Sequence, residues 1–322
     1  MFENKHLFCM TLLVSAVLCS ACQPQQEDAK PVAPQQTAAS EAVVEVLSLE
    51  GKMQPLDLAL EDCSGHSCPD LSIDRLQTNQ PFIDAWLDQE ILKHLDAILQ
   101  VSDADLKSKA AEVTSLPSKE HAASEVEVLP SAEQHLVQQA QPYVQSFLNL
   151  DKELKTMGVN HQINLSLSPK ILSSGPPLAT VVLNTSSYLG GAHGASSQDY
   201  YNFDLKSKKL VALADLLLPQ QQTQLNNLAY AAFKTWVKDA KLAEDVQQYE
   251  QVWKFSLTQN YYLGQQGLIL QYQEYEIAPY VAGLPRLTIP YAQLQGVLKP
   301  EYLPAGSKAA SAVVVQSAQG KD

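Results

Sequence analysis

His193 stands in the stretch GGAHG, residues 190–194, between an apolar-rich run TVVLNTSSYL and the segment QDYYNFDL. A histidine presented on a glycine loop can pass protons, and with carboxylates such as Asp199, Asp204 and Glu276 beside it, it could also hold a metal ion. Nothing in the spacing forces these side chains together. The glycines at 190, 191 and 194 are equally explained by a corner between two strands, where positive φ or close backbone approach requires them. The default reading is that corner, with His193 hydrogen-bonded to nearby backbone. The chain has no G-x-S-x-G, H-E-x-x-H, G-x-x-x-x-G-K-[ST] or helix-opening G-x-G-x-x-G. No catalytic residue, metal ligand or cofactor is therefore assigned.

Tyrosines form a second group in the C-terminal half, among them Tyr200, Tyr201, Tyr262, Tyr275 and Tyr280. A tyrosine on a strand either fills core or offers an amphipathic contact surface to a sugar or a protein. The neighbours Tyr200 and Tyr201 must point to opposite faces of a strand. His193, Tyr200, Tyr275, Glu276 and Tyr280 are the candidate ligand-binding residues. Cys63 and Cys68 bracket Ser-Gly-His-Ser, a spacing that suits a local disulfide across a turn in an oxidising compartment. A metal site of Cys63, His66 and Cys68 would lack a fourth ligand and the tighter C-x₂-C pair, and a redox dithiol would want C-x-x-C.

The compartment is read from the N-terminus. Lys5 is followed by a largely apolar run of twelve residues from Leu7 to Leu18, too short for a bilayer that needs about 20. Ser20-Ala21 supply the small residues that precede a signal-peptidase cut. The stretch LCSAC resembles a bacterial lipobox, with Cys19 where leucine is usual, which implies lipidation of Cys22; in a diderm cell Gln23 after it resembles an outer-membrane sorting signal, so an outer-membrane lipoprotein facing the periplasm is expected. Residues 1–21 are then the signal peptide and 22–41, rich in Gln, Pro and Ala, a tether that cannot bury a core. The chain has 322 residues and a formal charge of −13, an acidic balance that disfavours nucleic acid.

The elements that must position these groups follow from periodicity. EAVVEVLSLE from Glu41 and the run Asp70 to Leu76 alternate as strands. A helix begins near Pro81, capped by Thr78 or Asn79, with Ile83, Leu87, Ile91 and Leu95 on one stripe. Residues 102–128 read as an exposed insertion. Ser131 with Gln134 opens a second helix that runs to about Met157, with Pro142 a candidate kink. Strands in INLSLS, LATVVLNTSSYL and DYYNFDL, a helix over about 220–240, strands over 255–263, 268–272 and 287–289, and a loose tail over 304–322 complete the chain. Grouped strands with helices between the groups imply an α+β fold of antiparallel sheets covered by helices, in two consecutive subdomains, 42–158 and 159–303.

SYLGGAHGASSQDYYNFDL together with GLILQYQEYEIAPYVAGLPRLTIPYAQL resembles the extracytoplasmic domain of the RsiV anti-sigma factors, which are lysozyme receptors. A related domain precedes the catalytic one in a peptidoglycan deacetylase. The resemblance covers roughly 160–300 and implies an extracytoplasmic binding role without catalysis. A sigma-binding segment and an internal membrane helix are not expected, so the sigma-factor role is not carried over. The expected function is a non-catalytic envelope lipoprotein that binds a protein or glycan, a basic wall-lytic enzyme such as lysozyme or peptidoglycan itself. The alternatives are a wall hydrolase or metal-dependent enzyme using His193, and a structural envelope factor.

Overall fold

The structure, a computed structural model, describes residues 47–60, 63, 67–101, 130–159 and 161–304. The expectations for Cys22, the signal segment, the tether, His66, the insertion 102–128 and the tail beyond 304 lie outside those residues. Every described residue belongs to one compact unit.

Strands β1 (Gly51–Pro55), β2 (Asp70–Thr78), β3 (Asn164–Ser173), β4 (Ala179–Tyr188), β5 (Ala195–Asp204) and β6 (Lys209–Leu210) form one sheet in that order. Helices α1 (Pro81–Leu99) and α2 (Ala132–Thr156) lie between β2 and β3 in the chain. The remainder supplies α3 (Gln222–Asp239), the single turn α4 (Val246–Tyr249) and a three-stranded sheet of β7 (Tyr261–Leu263), β8 (Gly267–Gln271) and β9 (Arg286–Pro290). The fold is α+β, as the grouping of elements implies. Among the described residues no helix is long and apolar enough to cross a membrane.

Two expectations about the first sheet need correction. β2 pairs with β3 in parallel, Asp70 opposite Asn164 and Ile73 opposite Leu167, so the first sheet is mixed and runs across residue 158. Parallel neighbours require a long crossover, and α1 and α2 are that crossover. The helices of 42–158 therefore cover a sheet whose centre belongs to 159–303. Leu95 from α1, Phe147 from α2, Ile73 from β2, and Leu165 and Leu183 from β3 and β4 share one apolar cluster. The second correction is at the start, where residues 47–50 are not strand and β1 begins at Gly51.

The helix ends follow local chemistry. Ser131 and Gln134 make the reciprocal capping box at the head of α2, and Pro142 sits inside that helix. At α1 the N-cap is Gln80 without a side-chain bond, and Thr78 instead gives its amide and hydroxyl to the Asp84 carboxylate. Arg75 on β2 forks onto Asp88 of α1 at 2.9 Å, tying helix to sheet. Burial holds the Asp88 carboxyl above its ordinary value even though the Arg75 guanidinium acts against this. Cys63 and Cys68 are joined by a disulfide.

In the smaller sheet the β8–β9 pairing is close enough that only glycine fits at 267. A methyl group there would lie 2.1 Å from the Ile289 carbonyl oxygen. Replacing Gly267 with alanine should force the two strands apart and cost about 3 kcal/mol of stability. Urea unfolding followed by circular dichroism measures this; a loss below about 0.5 kcal/mol would contradict the packing.

Candidate functional site

β4 and β5 form a hairpin whose connection is the GGAHG stretch. Gly190 has φ +84°, and a methyl on it would come 2.9 Å from Leu154 Cδ1 of α2; one on Gly194 would come 2.8 Å from the Ser187 carbonyl oxygen. Both glycines are thus required by the corner. His193, however, does not bond to nearby backbone as the corner reading expects. Its ring is exposed and stacks on Tyr280 with centroids 4.7 Å apart, and Tyr280 stacks in turn on Tyr275 at 5.7 Å. Tyr275 has φ +63° and is 52% exposed, and Val281 is 87% exposed. An exposed histidine and an exposed tyrosine thus flank the half-buried Tyr280 ring, and the next residue in the chain is the exposed Val281.

The loop over 272–285 that carries these residues is fixed against β5. On the side away from β4, β5 turns its backbone toward this loop and toward Asn260. The Asn260 side chain accepts from the Tyr200 amide at 2.9 Å and donates to the Gln198 carbonyl at 2.7 Å. Glu274 accepts from the Ser196 amide at 3.1 Å, and Gln273 accepts from the Gln198 amide at 3.4 Å. Further along, Asn202 is buried, accepts from the Thr180 hydroxyl and donates to the Tyr261 carbonyl at 2.7 Å. Side chains do along this edge what a neighbouring strand would do with its backbone.

The carboxylates considered beside His193 have other partners. Asp199 accepts from the Gln273 side chain at 2.9 Å and from the Ser197 hydroxyl at 3.0 Å. The histidine near it is His94 of α1, with Nε2 3.7 Å from Asp199 Oδ2. His94 also has its Nδ1 3.2 Å from the Thr185 hydroxyl and its Nε2 3.5 Å from that of Tyr201, which donates to Glu90 at 3.0 Å. Burial, Glu90 and Asp199 together push the Tyr201 hydroxyl far above its ordinary range. Asp204 lies at the other end of β5, where it caps the turn by accepting from the Ser207 hydroxyl at 2.7 Å and the Lys206 amide at 2.9 Å. Glu276 accepts from the Gln273 amide at 2.9 Å; desolvation raises its carboxyl above the ordinary value, the amide opposes this, and Asp199 adds to it.

The structure thus joins His193 with Tyr275 and Tyr280 and keeps Tyr200 apart, stacked on Tyr262 at 4.4 Å. His94 gave no separate sequence signal because it falls within the helical pattern of α1, and only the packing of α1 on β4 and β5 puts it beside Asp199. Among the described residues no group of three or more His, Cys, Asp or Glu is arranged to hold a metal.

Comparison with known proteins finds a match to one family model over part of this region. Residues 214–292 match DUF3298, described as a protein of unknown function. That span takes in α3, the three-stranded sheet and the Tyr275–Tyr280 loop, while His193 and β5 lie before it. Over 172 residues the chain is 21% identical to the peptidoglycan-N-acetylmuramic acid deacetylase PdaC of Bacillus subtilis, an alignment covering 51% of this chain and 35% of that protein. The chain thus spans about a third of that relative's length. A crystal structure of a DUF3298 family protein from Pseudomonas aeruginosa PAO1 shares the fold, with a TM-score of 0.54 and 24% identity over 81% of this chain and 97% of that one. A DUF3298 family member from Bacteroides fragilis has a TM-score of 0.48 and 18% identity, covering 79% of this chain and 94% of that one.

Two outcomes test this description. Asn260→Ala removes both bonds to β5, and should lower stability by about 2 kcal/mol and accelerate exchange of the Tyr200 amide hydrogen; unchanged exchange there would contradict the edge assignment. For Asp204, the Ser207 hydroxyl and the turn amides hold the folded carboxyl below its ordinary value. Its contribution is therefore present above an unfolded value of about 3.9 and is lost as pH falls through the lower folded value. Acid unfolding of Asp204→Asn should show a shallower dependence on pH in that window than the parent chain.

Proposed function

We propose that this chain is a non-catalytic protein of the cell envelope that binds a protein ligand through the surface of His193, Tyr280, Tyr275 and Val281. The reading is carried by the aromatic stack, whose outer members His193 and Tyr275 are exposed, and by Val281, next to Tyr280 in the chain and 87% exposed. Tyrosines combine apolar area with a hydrogen-bonding tip and lose little entropy on contact, which suits them to the centre of an interface. The rings here stack on one another, so part of each face is already occupied. Their edges and the valine remain, a mixed polar and apolar surface that suits protein side chains.

The ligand is proposed to be a basic wall-lytic enzyme such as lysozyme. The formal charge of −13 favours a cationic partner, and Glu274 and Glu276 lie on the same loop as the stack. The resemblance to lysozyme receptors and the similarity to a wall deacetylase support an envelope setting. The body is proposed to be held at the outer membrane, facing the periplasm, by a lipid on Cys22.

Lysozyme should bind the purified protein saturably at low salt and more weakly at moderate salt. Tyr280→Ala and Val281→Asp should each weaken binding by about tenfold or more, measured by calorimetry. Absence of binding at both salt concentrations would remove this ligand. Incorporation of labelled palmitate that disappears in Cys22→Ala cells checks the anchor.

A further inference from the structure

The chain contains two arginines, and the fold treats them in opposite ways. Arg75 is neutralised by Asp88. Arg286, on β9, is exposed, and among the described residues no carboxylate lies within ion-pair distance of it. Its guanidinium is instead held by two carboxamides. Nε donates to Gln271 Oε1 at 2.7 Å, and Nη2 donates to Gln198 Oε1. Gln271 is 0% exposed, and its own amide is fixed by the Tyr272 and Pro285 carbonyls at 2.9 and 3.3 Å. Gln198 donates to Asn184 Oδ1 at 2.9 Å and accepts from the Tyr200 hydroxyl at 3.3 Å, and Tyr200 stacks on Tyr262 with an interplanar angle of 20°.

Neutral oxygens orient the guanidinium and leave its charge in place, whereas carboxylates would have cancelled it. A guanidinium has five N–H donors; the two carboxamides take two of them, and the Tyr200 hydroxyl is also within hydrogen-bonding reach of the group. Donors remain beyond these, and the parallel N–H groups of a guanidinium match the two oxygens of a carboxylate in spacing. Lysine could not be held this way, because an ammonium has no plane to fix. The stacked tyrosines beside it add an apolar face, and Asn184 and Gln198 add planar hydrogen-bonding groups. An oriented cation, carboxamides and an aromatic face together suit a ring that carries hydroxyls on its rim and an acid group.

We infer that Arg286, Gln198 and the Tyr200–Tyr262 pair form a binding site for the carboxylate of an anionic saccharide. The site uses none of the residues of the His193–Tyr280 surface, so it stands or falls independently of the protein ligand proposed above. Five strands, β4, β5, β7, β8 and β9, contribute to it.

The test is titration of the purified protein with N-acetylmuramic acid, with N-acetylglucosamine, which lacks its carboxylate, and with N-acetylalanine, which keeps a carboxylate without the sugar. Binding is read from the side-chain N–H resonances of Arg286, Gln198 and Gln271. N-acetylmuramic acid should bind saturably and move those signals, and each of the other two should bind more weakly by about tenfold or more. Arg286→Gln should lower the affinity for N-acetylmuramic acid by about tenfold, equivalent to about 1.4 kcal/mol. Gln198→Glu places a carboxylate against the guanidinium while keeping an acceptor, and should abolish binding even if Arg286→Gln does not fold. No saturable binding of N-acetylmuramic acid, or binding unaffected by Gln198→Glu, would overturn the inference. Equal affinity for N-acetylalanine would overturn the saccharide assignment in favour of a peptide carboxylate.

Discussion

The outer edge of β5 is the constraint on which the rest of the molecule depends. A strand edge exposes amides and carbonyls that must be bonded, and in this protein they are met by the side chains of Asn260, Gln273 and Glu274. A neighbouring strand would have merged the two sheets into one. Side-chain partners join them while leaving each with its own twist and its own core. The six-stranded sheet packs on α1 and α2, and the three-stranded sheet packs with α3 in a separate apolar cluster.

That junction also decides where the polar chemistry goes. Gln273 bonds β5 at the backbone of Gln198 and at the Asp199 carboxylate, while Glu276 accepts from the amide of Gln273 itself. The loop is pinned at its base by polar contacts, while Tyr275 and Val281 are exposed and Tyr280 stacks between Tyr275 and His193. On β5 the alternation of faces sends Asp199 and Tyr201 toward α1, where His94 and Glu90 wait, and sends Gln198 and Tyr200 toward the smaller sheet. One strand thus serves a polar network on each face, and Gln273 touches both.

The carboxamides are a recurring choice. Asn202, Asn260, Gln198, Gln271 and Gln273 all sit where a buried or half-buried group must donate and accept at once, which a carboxylate or an ammonium cannot do. They satisfy the junction without adding charge to a chain that already carries a formal −13. At Arg286 the same property leaves a cation oriented and uncompensated.

Periodicity and capping in the sequence were sufficient for most of the elements. The stripe Ile83, Leu87, Ile91, Leu95 and the pair Ser131 and Gln134 mark α1 and α2 because helix spacing and cap geometry are local properties. The corner at 190–194 was legible for the same reason, since φ at Gly190 is set within a few bonds. What the sequence could not supply was pairing across distance. The parallel match of β2 with β3, the meeting of His94 with Asp199 from distant parts of the chain, and the contact of His193 with Tyr280 depend on how helices and sheets pack, and packing energy is shared among residues that carry no mark of their partner. Local order was therefore written along the chain, and the candidate surfaces exist only once tertiary structure brings its distant parts together.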